Sequence, residues 1–103
     1  MSNSYLNDIK NFPEETKKEF LLILKKNLNE FFTKIEIAIQ NQDAEAISQL
    51  VHKVMPTLIM LELKTSQDFF TNLKSNKNNL NNISQLLLDL TNEKQKVTAN
   101  GWL

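Results

Sequence analysis

The stretch from Glu14 to Gln40, EETKKEFLLILKKNLNEFFTKIEIAIQ, decides the fold of this chain. Its apolar residues recur every three or four positions, which places them on one stripe of an α-helix. The stripe contains Phe20, Leu24, Leu28, Phe31, Ile35 and Ala38 and is widened by Leu21, Phe32 and Ile39. Pro13 suits a helix start, and Glu14 and Glu15 face the positive end of the helix dipole. We therefore predict one long amphipathic helix over this stretch.

Shorter amphipathic stretches follow the long helix. Asp43 is a suitable N-cap for a second helix from Ala44 to about Leu63. The pattern predicts a third helix over Thr65 to Leu73, a polar loop, and a last helix from about Asn79 or Leu80. Short connections between four such helices predict an all-α protein, an antiparallel up-and-down four-helix bundle. A short N-terminal helical segment is also expected, from the apolar residues Tyr5, Leu6, Ile9 and Phe12.

Length and composition favour one folded domain over residues 1–103, with its core over about 14–95. The chain has 103 residues, of which 41% are hydrophobic and 23% charged, as in ordinary globular proteins. One glycine and two prolines are too few for the turns of a many-stranded β-fold.

Charge and cysteine content exclude several classes of function. Lysine and arginine together number 12 and acidic residues also 12, and every basic residue is lysine. Nucleic-acid binding is not predicted, because net positive charge and the bidentate arginine contacts are both missing. The absence of cysteine excludes thiolate nucleophiles and zinc–thiolate sites. Neither a signal peptide nor a membrane-spanning run is seen, so we expect a cytoplasmic location and no membrane partner.

The one histidine, His52, is the leading candidate for chemistry. On a helical wheel it lies about 140° from Ile47, outside the apolar stripe of the second helix, and is therefore expected to face solvent. A neutral imidazole has one unprotonated ring nitrogen and is a competent nucleophile. Near it on the same side lie Glu45, Ser48, Met55, Pro56 and Ile59, and the three apolar members of this set are suited to docking a partner. Pro56 cannot donate a hydrogen bond to the carbonyl of His52, so we expect the helix to bend or loosen there.

The stretch LVHKVMPTLIMLEL, residues 50–63, resembles the phosphorylation-site helix of histidine-containing phosphotransfer (HPt) domains. The matching positions are His52, Val54, Pro56, Thr57, Leu61 and Leu63, and the likeness extends over about residues 14–95. The chain differs from the family pattern at two positions. Met55 stands where the family usually has a phosphoryl-neutralising lysine, and Glu62 stands where many members have glycine.

The resemblance implies a phosphorelay intermediate rather than an autonomous enzyme. His52 would accept a phosphoryl group from the phosphoaspartate of a response-regulator receiver domain, or of a hybrid histidine kinase, and pass it to another receiver. Ser48 and Lys53 would contact the phosphoryl group, and Met55, Pro56 and Ile59 would form the docking surface. No metal or other cofactor is expected on this chain, because the receiver would supply the magnesium.

Two alternatives remain open from the sequence. The first is an HPt-like interaction module that binds a receiver or kinase without carrying phosphate, which Met55 in place of lysine slightly favours. The second is an unrelated dimerisation bundle, whose subunit interface would be marked by Leu22, Ile23 and Ile37, since these residues fall off the core stripe of the long helix.

Overall fold

The computed structural model describes residues 12–101, which form four α-helices and no β-strand. The helices are α1 (Glu14–Gln40), α2 (Ala44–Met60), α3 (Lys64–Ser75) and α4 (Ile83–Ala99). The predicted all-helical class is thereby confirmed for this part of the chain. The predicted N-terminal segment lies outside the described residues, apart from exposed Phe12. None of these four helices is both long and apolar enough to cross a bilayer.

Helix α1 has the predicted bounds and buries the predicted stripe. Leu28, Ile35 and Ile39 are fully buried, and Phe20 and Leu21 are half-buried at its N-terminal end. Pro13 precedes the first turn, where Glu14 and Glu15 lie near the positive end of the dipole. At the start of α2, Asp43 Oδ1 accepts a hydrogen bond from the Ala46 N–H at 3.1 Å, so the predicted N-cap is also confirmed.

Helix α2 ends at Met60, earlier than the predicted Leu63. Glu62 adopts the left-handed backbone conformation, with φ of 56°. The Leu63 N–H donates to the Leu58 carbonyl at 2.9 Å and the Glu62 N–H to the Ile59 carbonyl at 3.0 Å. This pair of bonds is a Schellman motif, which satisfies the last carbonyls of the helix and turns the chain. The apolar pattern continues to Leu63 because this residue is buried from the turn rather than from the helix.

The glycine-like backbone at Glu62 makes a specific stability prediction. A side chain in the left-handed region is strained, whereas glycine is not. We expect Glu62→Gly to raise the free energy of unfolding by about 0.5–1 kcal/mol, because strain relief outweighs the greater entropy of the unfolded chain. Urea denaturation measures this change. Glu62→Ala is the control, since it removes the same side chain without relieving the backbone, and an equal gain in both variants would contradict the prediction.

The last two helices differ slightly from their predicted bounds. Helix α3 is longer at both ends than Thr65 to Leu73. Helix α4 begins at Ile83 rather than at Asn79 or Leu80, because Asn82 is left-handed (φ 50°) and accepts a hydrogen bond from the Gln85 N–H at 3.2 Å. An asparagine that caps in this way ends the loop, and the helix begins at the next residue.

The core lies between helices that contact one another in chain order. Helix α1 packs against α2 and α4, and α3 packs against the same two helices. Its centre is aromatic, where Phe70 of α3 makes edge-to-face contacts with Phe31 and Phe32 of α1, with ring centroids 4.9 and 5.8 Å apart. Edge-to-face aromatic pairs add to the free energy of burying the rings themselves.

One buried carboxylate joins α3 to α4. Glu93 is only 6% exposed, and its Oε1 accepts hydrogen bonds from Ser66 Oγ at 3.0 Å and Thr65 Oγ1 at 3.3 Å. Lys96 Nζ lies 3.3 Å from the other carboxylate oxygen. A buried charge is costly unless it is paired and hydrogen-bonded, and here it is both. The amphipathic pattern did not identify this group of residues.

Candidate functional site

Helix α2 presents His52 to solvent. The face of α2 turned towards the core buries Ile47, Val51, Val54 and Leu58, which leaves the imidazole exposed on the other side. This agrees with the placement expected from the helical wheel. Because Val51 is buried beside it, the backbone that carries His52 is held firmly against the core while the ring stays accessible.

His52 lies in a surface groove between α2 and the end of α3. From α2 the groove is lined by Val51, His52 and Met55, and from α3 and the turn after it by Thr71, Lys74, Ser75 and Lys77. Thr71, Lys74 and Ser75 are three and four residues apart, so they share one face of α3. We call this feature the His52 groove. It combines an imidazole, two ammonium groups and two hydroxyl groups.

The charges of the His52 groove are of one sign. Its lining includes no aspartate or glutamate. The ion pairs among residues 12–101 join Lys17 to Glu14 and Lys96 to Glu93, so neither Lys74 nor Lys77 is neutralised by a carboxylate of this part of the chain. Both lysines are half-buried, and a lysine with this exposure typically packs its aliphatic stem on the protein while its ammonium group reaches water. The arrangement is suited to an anion beside an imidazole.

The other predicted site residues divide between this groove and its surroundings. Met55 lines the groove, and half-buried Ser48 lies one turn before His52 on the same side of α2. Pro56 and Ile59 are exposed on the same helix, Ile59 to 51%. Lys53 instead lines the grooves between α1 and α2, so the structure does not bring it together with His52.

Pro56 does not end the helix. Helix α2 continues past it to Met60, so the helix is not interrupted at the proline. The carbonyl of His52 nevertheless lacks the partner that the N–H of any other residue at position 56 would provide.

The sequence pattern did not point to Lys74 or Lys77 as site residues. Both lie in a polar stretch typical of a solvated helix end and loop, and they are more than twenty positions beyond His52. The one signal available was the Thr71–Lys74–Ser75 face of the third helix, which is polar and adjacent to the buried Phe70 and Leu73. Its orientation towards His52 follows from how α3 packs on α2, which periodicity does not specify.

The residues of the dimerisation alternative are exposed at two separate places along α1. Leu22, Ile23 and Ile37 are 64%, 56% and 52% exposed. Ile23 and Ile37 lie about 21 Å apart along the helix axis, since each residue rises about 1.5 Å. Separate exposed apolar side chains are normal on a protein surface and do not by themselves mark an interface.

Comparisons with known proteins add no relative. Neither the protein-family models, nor the curated proteins, nor the solved structures include a match to this chain. Within residues 12–101, no three histidine or acidic side chains lie close enough together to hold a metal ion.

Proposed function

We propose that this protein is a phosphorelay intermediate of the HPt type, with His52 as the phosphoacceptor. The observation that carries the proposal is the exposed imidazole in a groove that holds two lysines and no carboxylate.

We also infer that the four helices form an antiparallel up-and-down bundle. This inference rests on the short turns at 41–43 and 61–63 and on the contacts of each helix with two others.

The backbone at Glu62 supports the resemblance on which the proposal rests. Many HPt domains have glycine at the corresponding place, and in this chain that place has φ of 56°. A left-handed turn is where glycine is expected, so the family pattern and the local geometry agree even though the residue is glutamate. This agreement concerns the shape of the helix end and is independent of the histidine.

The proposed reaction is a reversible phosphoryl transfer between nitrogen and oxygen. The unprotonated ring nitrogen of His52 attacks the phosphorus of a receiver's aspartyl phosphate, so that an N–P bond forms while the O–P bond breaks. The aspartate leaves with the electron pair as a carboxylate. The second ring nitrogen keeps its proton until solvent removes it, and the reverse step transfers the group to another receiver.

The partner would dock over the His52 face of α2. Met55, Pro56 and Ile59 supply apolar contact, with Pro56 and Ile59 exposed and Met55 half-buried. Ser48 is placed to contact the phosphoryl group from the preceding turn, whereas Lys53 would reach it only around the helix. The partner is a receiver domain or hybrid kinase that carries its own magnesium, and the setting proposed is the cytoplasm.

Phosphoryl transfer from receivers tests the proposal. Receiver domains of the source organism are phosphorylated with radiolabelled donor, mixed with the purified protein and separated from it. The expected result is label on this protein that is lost in acid and retained in alkali, as for phosphohistidine. Acid-stable label, or no label with any receiver, would contradict the proposal.

The same experiment distinguishes the interaction module. Stable binding of a receiver without any transfer of label would favour a module that only docks. Met55, which leaves α2 without a lysine one turn after His52, is the observation that favours this second candidate.

A further inference from the structure

We infer that Lys74 and Lys77 form the phosphoryl-binding part of the His52 site, so that phosphorylated His52 is held against α3. The inference deepens the proposed function and rests on it. It assigns the charge stabilisation to Lys74 at the end of α3 and Lys77 in the turn after it, and not to the helix that carries the nucleophile.

The first support is placement. Lys74 and Lys77 line the same groove as the imidazole, although α3 and the turn after it are far from His52 in sequence. Half-burial of both lysines restricts how far their stems move. The hydroxyl groups of Thr71 and Ser75 line the same groove and are further donors for phosphoryl oxygens.

The second support is charge. A phosphoryl group carries nearly two negative charges near neutral pH. The His52 groove offers two ammonium groups and no carboxylate. The grooves between α1 and α2 also contain two lysines, Lys34 and Lys53, but there the lining includes Glu30 or Asp43. Each of those two grooves therefore has one carboxylate beside its two lysines, whereas the lining of the His52 groove has none.

A structural role explains only part of this arrangement. Lys74 lies in the last turn of α3, where a cation is stabilised by the helix dipole. Lys77 follows the helix and gains little from that dipole, yet it lines the same groove. Met55 is uncharged, so the ammonium groups that line the groove all come from the α3 side.

Phosphorylation by a small donor tests the inference without any partner protein. Phosphoramidate is incubated with the wild type and with the double variant Lys74→Ala/Lys77→Ala, and the initial rate of phosphohistidine formation is followed by ³¹P NMR. We expect a loss of about tenfold in the double variant, the size of one charge-assisted hydrogen bond to the phosphoryl group. Lys25→Ala/Lys26→Ala removes the same charge from exposed positions of α1 and is expected to leave the rate unchanged.

A charge-preserving variant separates binding from structure. Lys74→Arg/Lys77→Arg is expected to keep at least a third of the wild-type rate, because the positive charges remain. Equal rates in the wild type and the double alanine variant, an equal loss in the Lys25/Lys26 control, or no phosphohistidine in the wild type would each overturn the inference. If receivers label the wild type and the double alanine variant equally, the result supports the proposed phosphorelay function but contradicts phosphoryl binding by Lys74 and Lys77. If phosphoramidate labels His52 at a rate that depends on the two lysines but no receiver labels it, the result supports phosphoryl binding by the lysines and contradicts the phosphorelay function.

Discussion

The His52→Gln variant is expected to take up no acid-labile phosphoryl label, a loss of at least about 100-fold in transfer rate from a receiver. Glutamine is close to histidine in size and polarity, but its amide nitrogen has no basic lone pair to attack phosphorus. His52 is the only histidine of the chain, so no neighbouring imidazole replaces it. The measurement is incorporation of radiolabel from phosphorylated receivers, side by side with the wild type.

Stability provides the control for this variant. His52 is exposed, and substitutions at exposed positions usually change the free energy of unfolding by less than about 0.5 kcal/mol. The circular dichroism spectrum and the melting temperature should therefore match those of the wild type. Acid-labile label that persists at the wild-type rate in His52→Gln would show that another residue is the acceptor.

The Phe70→Ala variant is expected to lose about 3–5 kcal/mol of unfolding free energy, the usual cost of emptying a buried phenylalanine site. Phe70 is fully buried, and its ring meets Phe31, Phe32 and Phe69 in edge-to-face contacts. Domains of this size are stable by only about 5–15 kcal/mol, so the variant should be partly unfolded near physiological temperature. Urea denaturation followed by circular dichroism measures the loss.

The neighbouring ring is the matched control. Phe69 is only half-buried, so Phe69→Ala removes the same number of atoms but leaves a site that water already reaches. We expect it to cost about half as much as Phe70→Ala or less. Equal losses in the two variants would mean that the aromatic cluster is not centred on Phe70.

The presence of each helix was predictable from the spacing of its apolar residues, and some helix ends were predictable from the residues located there. The bounds of α1 and the Asp43 N-cap follow from residue types with direct local consequences, namely proline and acids at the start and a carboxylate that accepts an N–H. The C-terminal end of α2 and the start of α4 were not predicted, because Glu62 and Asn82 adopt left-handed conformations that glycine would have signalled. The buried Glu93 was missed for a similar reason, since a charged residue in a helix is normally assigned to solvent.

The candidate site was predictable on one helix only. The exposure of His52 follows from angular position on α2, which the sequence specifies to within a few tens of degrees. The proximity of Lys74 and Lys77 to His52 depends on which face of α3 is turned towards α2. That orientation is determined by many side chains together. Single-helix reasoning therefore identified the nucleophile candidate but assigned the charged partner to Lys53, which the structure places in different grooves.

The bond between Glu93 and the first turn of α3 has a consequence for the opposite end of that helix. Apolar surfaces are not directional, so α4 sliding by one turn would still cover much of the core. A buried carboxylate is satisfied in only one register, the one that brings it to Ser66 and Thr65. These hydrogen bonds thus fix the position of the first turn of α3 relative to α4. Because an α-helix is stiff over this length, they also fix the position of Lys74 in its last turn.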